Sequence, residues 1–354
     1  MLRHLTARNA QHMMLRIQGQ EDDMQRKSVD VNGITLSYLE AGEGPAILLC
    51  HGFPETSKSW HKQMPALAAA GYRVIAPDLR GYGESSCPES TNAYTIFHLV
   101  GDLVGLMDAL SIQRTVIVGN DWGASIAWQM SLMRPDRICG VVAFGVPLMA
   151  RASMPPTQMF PRTKEALFYT LYFQEPGLAE RELERDVPTT LRRIYHAASG
   201  EAGPRQPGDG TPNPFGMVVP ERGMLQDLPE PARLPPWLSS ADLNAYATAF
   251  ARTGFHGGLN YYRNLDRNWQ LQASLEGMRV EVPALFAIGS RDVGLSIPGM
   301  DSIIADMAKL APRLRRCVTI DDAGHWIQQE RADAVNALIL SFMPTLDNSK
   351  FPVA

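Results

Sequence analysis

Four cysteines in 354 residues are too few for a disulfide framework, and Cys50, Cys139 and Cys317 fall in apolar runs that read as buried strands. Reduced thiols in a cytoplasmic compartment are therefore expected. Long apolar runs are also missing, and a chain with no stretch near the roughly 18 apolar residues of a spanning helix has no membrane span of that kind. Residues 1-28 carry Arg3, Arg8 and Arg16 but no apolar signal core, while Glu21, Asp22 and Asp23 argue against a transit sequence. They read as an N-terminal extension without a targeting role. No excess of one charge exists either: 33 Lys and Arg against 37 Asp and Glu leave a formal net charge of -4, so nucleic acid is not an expected partner. The fragment Gly81-Tyr82-Gly83-Glu84-Ser85 lacks dinucleotide-loop spacing. With no H-E-x-x-H, Cys/His cluster or calcium-loop pattern, neither a cofactor nor a metal is expected.

What is present is ordinary globular composition, 45% hydrophobic and 20% charged. A chain of this size hides roughly three quarters of its extended surface on folding, enough for a dry active site. From Val29 onward short apolar runs alternate with helical patterns. Strands are expected at Ile34 to Leu39, Ala46 to Cys50, Tyr72 to Pro77, Thr115 to Gly119 and Cys139 to Phe144. Helices are expected at Trp60 to Ala70, Thr95 to Leu110 and Ala124 to Met133. Continuous runs such as T-V-I-V-G and G-V-V-A-F, without period-two alternation, predict strands covered on both faces of a mostly parallel α/β sheet.

The alternation stops near Val146. To about Asn268 the pattern is helical (Lys164 to Phe173, Ala179 to Ala197, Ser240 to Arg252) around a Pro- and Gly-rich stretch from Gly200 to Pro236. A structureless loop of that length in a compact domain is uncommon unless it is a lid or a disordered segment. Sheet signals resume with a strand at Pro283 to Gly289, a helix at Met300 to Leu310, a strand at Cys317 to Ile320 and a closing helix at Arg331 to Phe342. The helical block is therefore an insertion. The expected divisions are 29-145 and 269-345 for two parts of one core, 146-268 for the insertion and 346-354 for a tail.

Chemistry-bearing residues cluster after the strands. Gly119-Asn120-Asp121-Trp122-Gly123 lies between a buried strand and a helix, the context of the G-x-S-x-G nucleophile turn with Asp121 in the central position. The bland alternative is that Asp121 only caps the following helix. His51-Gly52-Phe53-Pro54 follows another strand, where a turn can aim the Phe53 N–H, with that of Trp122, at one point as an oxyanion hole. Pro54 fixes that turn, and His51 reads as a structural hydrogen-bonder rather than a base. Asp292 and His325 each follow a later strand at the sheet edge where α/β sites gather. The order Asp121, Asp292, His325 is the nucleophile, acid, histidine order of α/β-hydrolases.

These motifs resemble α/β-hydrolases with an aspartate nucleophile, most closely the soluble epoxide hydrolases. The insertion adds F-Y-T-L-Y-F-Q-E-P-G at 168 to 177 and G-G-L-N-Y-Y-R-N at 257 to 264, which are similar to cap segments of that family. The resemblance spans about Val29 to Phe342. It implies an α/β-hydrolase fold with a helical cap (lid), an epoxide substrate, a homodimer, and tyrosines Tyr169 and Tyr262 reaching the epoxide oxygen. Tyr172 and Tyr261 are then packing residues. Asn120 and Thr170 depart from the family, which has His and often Gln at those places.

The chemistry also argues for itself. A carboxylate can displace the oxygen of a saturated epoxide carbon and leave an ester that water can attack, whereas a serine would leave an inert ether. His325 would activate that water, oriented by Asp292. Rival readings are a haloalkane or haloacid dehalogenase with the same Asp nucleophile, and a non-enzymatic ligand-binding receptor on the same scaffold. Phe53 lacks the side-chain donor that a halide needs, and a receptor has no use for a complete set of Asp121, Asp292 and His325.

Overall fold

The computed structural model describes residues 24–203 and 213–346. Most of the N-terminal extension, the middle of the Pro/Gly stretch and nearly all of the tail lie outside the described residues. The strands are β1 Gln25–Val31, β2 Ile34–Ala41, β3 Ala46–Cys50, β4 Arg73–Pro77, β5 Thr115–Asn120, β6 Ile138–Phe144, β7 Leu167–Phe168, β8 Met217–Val218, β9 Ala284–Gly289 and β10 Leu314–Ile320. All but β7 and β8 form one eight-stranded sheet, in the order β1-β2-β4-β3-β5-β6-β9-β10. β1 and β2 pair antiparallel, as do β2 and β4, and the rest of the sheet is parallel.

The central strands β3, β5, β6 and β9 are buried at every position because both faces are covered. Leu48, Ile117, Val141 and Phe286 belong to one core, and Ile47, Leu49, Val116, Val118, Val142 and Leu285 to the other. Ile47, Leu49, Val116 and Val118 have no exposed surface, and each such burial contributes roughly 1.5–3 kcal/mol. Helices α1 (Gln63–Ala69), α2 (Ile96–Ala109) and α3 (Trp122–Met133) connect the early strands.

Between β6 and β9 the chain leaves the sheet for α4 (Pro156–Met159), α5 (Tyr169–Tyr172), α6 (Leu178–Leu183), α7 (Val187–Ala198), α8 (Ser240–Thr253), α9 (His256–Arg263) and α10 (Leu265–Leu271). Helices α11 (Met300–Leu310), α12 (Ile327–Glu330) and α13 (Ala332–Phe342) then complete the core. The pairings of Cys50 with Gly119, Asn120 with Phe144, and Phe144 with Ala287 align the carboxyl ends of β3, β5, β6 and β9. Their loops therefore open on one side of the sheet.

Several elements differ from the sequence reading. The sheet begins at Gln25, before the first expected strand at Ile34 and inside the expected 1-28 extension, since β1 is an exposed edge strand whose Arg26 and Lys27 hide its strand character. The helix expected over Lys164 to Phe173 is instead a short strand and one helical turn. The Tyr169 N–H donates to the Gly216 carbonyl, and Leu167 pairs with Val218. The helix expected over Ala179 to Ala197 breaks between Leu183 and Val187, where Asp186 caps the Thr189 N–H and Pro188 opens the new helix. Trp60 to Ala70 divides into a 3-10 turn at Ser57–Trp60 and α1. The helical block runs on to Leu271, past the expected 268/269 division. Cys50 and Cys139 are buried, but Cys317 is exposed because β10 is the other edge strand.

α3 sits hard against the end of β3. A Cβ on Gly123 would overlap the Cys50 carbonyl, and one on Gly119 would overlap the Gly123 carbonyl. Gly123→Ala is therefore expected to destabilise the protein by roughly 1–3 kcal/mol through overpacking, read from urea denaturation midpoints. An unchanged midpoint would mean that the two backbones are not in contact.

Candidate active site

Asp121 sits at the turn from β5 into α3 with φ +55° and ψ -121°, a conformation that few L-residues adopt. It does not cap α3 with its side chain. Oδ1 accepts the Phe53 N–H at 2.8 Å, and Oδ2 lies 3.3 Å from His325 Nε2. On its other side His325 Nδ1 lies 3.1 Å from both carboxylate oxygens of Asp292, which also accepts the Gly294 N–H at 2.7 Å. Side-chain exposure falls from 15% at Asp121 to 7% at His325 and 1% at Asp292. The row therefore runs from a slightly exposed carboxylate inward to a dry one.

Burial by itself would strip the proton from His325, but the charges and hydrogen bonds of Asp292 and Asp121 outweigh it and hold the imidazole well above its ordinary value. In the absence of substrate His325 is thus the cationic centre of a carboxylate–imidazolium–carboxylate row.

The turn after β3 is built for close approach. A Cβ on Gly52 would collide with the Asp121 side chain, and Pro54 follows in a cis peptide. His51 lies beneath, its Nδ1 2.9 Å from the Gly52 carbonyl and its Nε2 accepting the Leu79 N–H at 3.0 Å. Burial lowers its pKa, so it stays neutral. Trp122 opens α3, and its N–H belongs to the first turn, which has no intrahelical acceptors.

The insertion supplies the roof. The Tyr169 and Tyr262 rings are 5.7 Å apart, and Tyr262 packs edge-on to Phe53 at 5.6 Å, Trp122 at 5.1 Å and Phe173 at 5.1 Å. Tyr262 lies near enough to Tyr169 for the two phenols to influence each other's acidity. Burial, then the Asp121 charge, raises both phenols, so both remain protonated. The neighbouring tyrosines point elsewhere: Tyr172 donates to Glu182 at 2.8 Å, and Tyr261 to the Arg80 carbonyl at 2.8 Å.

Two participants escaped the sequence reading, and a third, Asn120, entered it only as a departure from the family. Phe215 comes from the Pro/Gly stretch and lies 5.6 Å from the His325 ring and 5.2 Å from that of Tyr169. A lone aromatic between Pro214 and Gly216 was its only signal. Glu55 is fully buried beside the Phe53 turn, held by Gln328 and Gln329 side chains at 2.9 and 2.7 Å. Burial and the Asp121 charge push its carboxyl up to about 7. Asn120 donates to the His325 carbonyl at 3.2 Å, which ties the nucleophile turn to the base's loop. Among the described residues no group of three or more His, Cys, Asp or Glu side chains is arranged to hold a metal ion, and no helix is long and apolar enough to cross a membrane.

Sequence and fold have counterparts among known proteins. The family model described as alpha/beta hydrolase fold matches residues 45–332. Epoxide hydrolase A of Mycobacterium tuberculosis is 47% identical, over 90% of this chain and 97% of its own length. Epoxide hydrolase 3 of Siraitia grosvenorii is 38% identical over 91% and 99%. Among solved structures, epoxide hydrolase A from Mycobacterium thermoresistibile superposes with a TM-score of 0.83 at 40% identity, covering 92% of this chain and 99% of that one. The chain belongs to the α/β-hydrolase fold family and, within it, to the epoxide hydrolases.

The charge row generates a titration test. With its folded pKa raised, His325 contributes stability that is fully present below about 6.5, its unfolded value, and is lost as pH rises through the raised one. Asp121→Asn removes one of the two carboxylates, so the His325 proton resonance should titrate at lower pH than in the wild type. An unmoved or upward-shifted titration would mean that Asp121 does not hold the imidazolium.

Proposed function

We propose that the protein hydrolyses epoxides to vicinal diols in two steps, through an ester on Asp121. The observation that carries this reading is the division of labour at that carboxylate: Oδ1 rests on the Phe53 N–H, while Oδ2 faces His325 under the paired tyrosines. Oδ2 attacks an epoxide carbon, and the broken C–O bond leaves its electron pair on the ring oxygen. Tyr169 and Tyr262 hydrogen-bond that alkoxide, and one supplies its proton.

Esterification removes the Asp121 charge, and with it part of what keeps His325 protonated. The imidazole then gives up a proton, through solvent, to the tyrosinate. In the second step His325 takes a proton from water, whose oxygen attacks the ester carbonyl. Negative charge gathers on Oδ1, where the Phe53 and Trp122 N–H groups stabilise it. The departing diol oxygen takes the proton of the new carboxyl, which restores Asp121 as a carboxylate beside protonated His325. Asp292 holds the imidazole throughout.

The dehalogenase alternative is disfavoured at two places. Phe53 offers a phenyl ring where a halide needs a donor, and the Trp122 indole packs edge-on against Tyr262, whose pairing with Tyr169 suits an alkoxide rather than a halide. A binding-only role leaves the bonded row of Asp121, His325 and Asp292 without a purpose.

Tyr169→Phe and Tyr262→Phe should each slow ester formation by about 10 to 100 fold, and the double variant should nearly abolish it, since two donors share one alkoxide. Single-turnover kinetics reads this, and a double variant alkylated at the normal rate removes the tyrosines from the mechanism. The covalent route itself is tested by a first turnover with excess enzyme in heavy-oxygen water. The diol should emerge unlabelled and Asp121 labelled, because the oxygen delivered to substrate is Oδ2. Full label in that first diol would mean direct attack by water.

A further inference from the structure

His325 is held by Asp292 through its ring, but the ring's position also depends on the backbone that carries it. That backbone has an unusual anchor. Glu330, at the end of α12, turns its carboxylate back onto the loop: Oε2 accepts the Gly324 N–H at 2.9 Å, and Oε1 accepts the Trp326 N–H at 3.0 Å. These are the two residues that flank His325. The same Oε2 also accepts the Gly200 N–H at 2.8 Å, from the turn that follows α7 in the helical insertion. The remaining N–H of the loop, that of His325 itself, donates to the Ala198 carbonyl at 2.9 Å, the last residue of α7.

The two backbones touch without room for side chains. A Cβ on Gly324 would overlap the Gly200 nitrogen, and one on Gly200 would overlap the Asp322 carbonyl. Two further bonds run across the same seam, from Arg291 Nη1 to the Gly200 carbonyl at 2.9 Å and from Trp326 Nε1 to the Tyr195 carbonyl at 2.9 Å. One carboxylate thus joins the segments on either side of the base to the insertion that carries the roof.

We propose that Glu330 is a positioning residue for the hydrolytic half-reaction, fixing the His325 loop and coupling it to the end of α7; this rests on the reading of His325 as the base for ester hydrolysis. Ester formation needs Asp121 Oδ2 and the tyrosines, none of which Glu330 touches. Ester hydrolysis needs His325 Nε2 in line with a water and the ester carbonyl. A carboxylate serves here and an amide does not. Every partner is an N–H donor on both oxygens, so a glutamine in either orientation turns an NH2 group against at least one of them.

The test follows ester formation and decay separately, by stopped-flow fluorescence and intact mass, with styrene oxide as the probe. Glu330→Gln is expected to slow ester decay by about 10 to 100 fold, the cost of a base displaced by a fraction of an ångström. Ester formation should stay within about threefold, so kcat and KM fall together while kcat/KM holds. Glu330→Asp keeps the charge but is too short for all three donors, and should give a smaller effect of the same kind. It decides the matter should the glutamine variant not fold.

A purely structural role would lower both half-reactions by one factor, and that result, or normal ester decay in both variants, overturns the proposal. His325→Gln is run alongside. If it accumulates ester while the Glu330 variants decay normally, only the Glu330 inference fails. If it forms no ester or turns over normally, the reading of His325 fails instead.

Discussion

Where α3 begins there is no space for a Cβ between its backbone and the end of β3, and the whole site follows from that contact. Gly119 and Gly123 let residues 119 to 123 close onto the Cys50 and His51 carbonyls. Asp121 is thereby lifted at φ +55° above the sheet edge. Gly52 leaves room for the Asp121 side chain, and so brings the Phe53 N–H to 2.8 Å from Oδ1. The strain of the turn is borne by a rigid, parallel, doubly covered sheet, whose in-register strands bring Asp292 and His325 to the same edge. A nucleophile on a flexible loop would relax away from such a backbone conformation.

Charge is the second constraint. Two carboxylates face one imidazole across 3.1 and 3.3 Å in a site from which water is largely excluded. The row is stable because its centre is protonated, yet a protonated histidine cannot be a base. The proposed sequence resolves this conflict without moving any residue: the substrate itself cancels one of the charges when it esterifies Asp121. Proton affinity at His325 then falls at the step that needs it to fall. The more deeply buried Asp292 is never consumed, so it keeps the ring oriented in both states.

Much of this was legible in the sequence because it depends on local patterns. Glycines at fixed offsets after an apolar run, and acidic and histidine residues after later runs, define a strand-end site wherever the strands are parallel. The central strands and α8, α11 and α13 were readable from length and periodicity. What was not legible depends on partners distant in sequence. β1 is held by its pairing with β2 rather than by an apolar pattern. The chain around Tyr169 follows Gly216, far along the chain, instead of its own helical propensity. Phe215, Glu55 and Glu330 are ordinary residues in sequence, and only folding places them against the Tyr169, Phe53 and His325 backbones or rings. Cys317 was misread because an apolar run looks the same in a central strand and an edge strand.

The roof imposes a matching requirement on the tyrosines. Burial and the Asp121 charge make Tyr169 and Tyr262 weaker acids than free phenol. This keeps both hydroxyls protonated at neutral pH, so in the proposed mechanism both can donate to an incoming epoxide. It also brings their proton affinity nearer to that of an alkoxide, and the two can then share a proton along the hydrogen bond while the C–O bond is breaking. A strongly acidic phenol would be ionised beside Asp121 before substrate arrived and would repel the developing alkoxide. The aromatic packing of Phe53, Trp122 and Phe173 around Tyr262 therefore does more than fill space. By excluding water it sets the acidity of the two groups proposed to open the ring, just as the carboxylates beneath set the basicity of the proposed base.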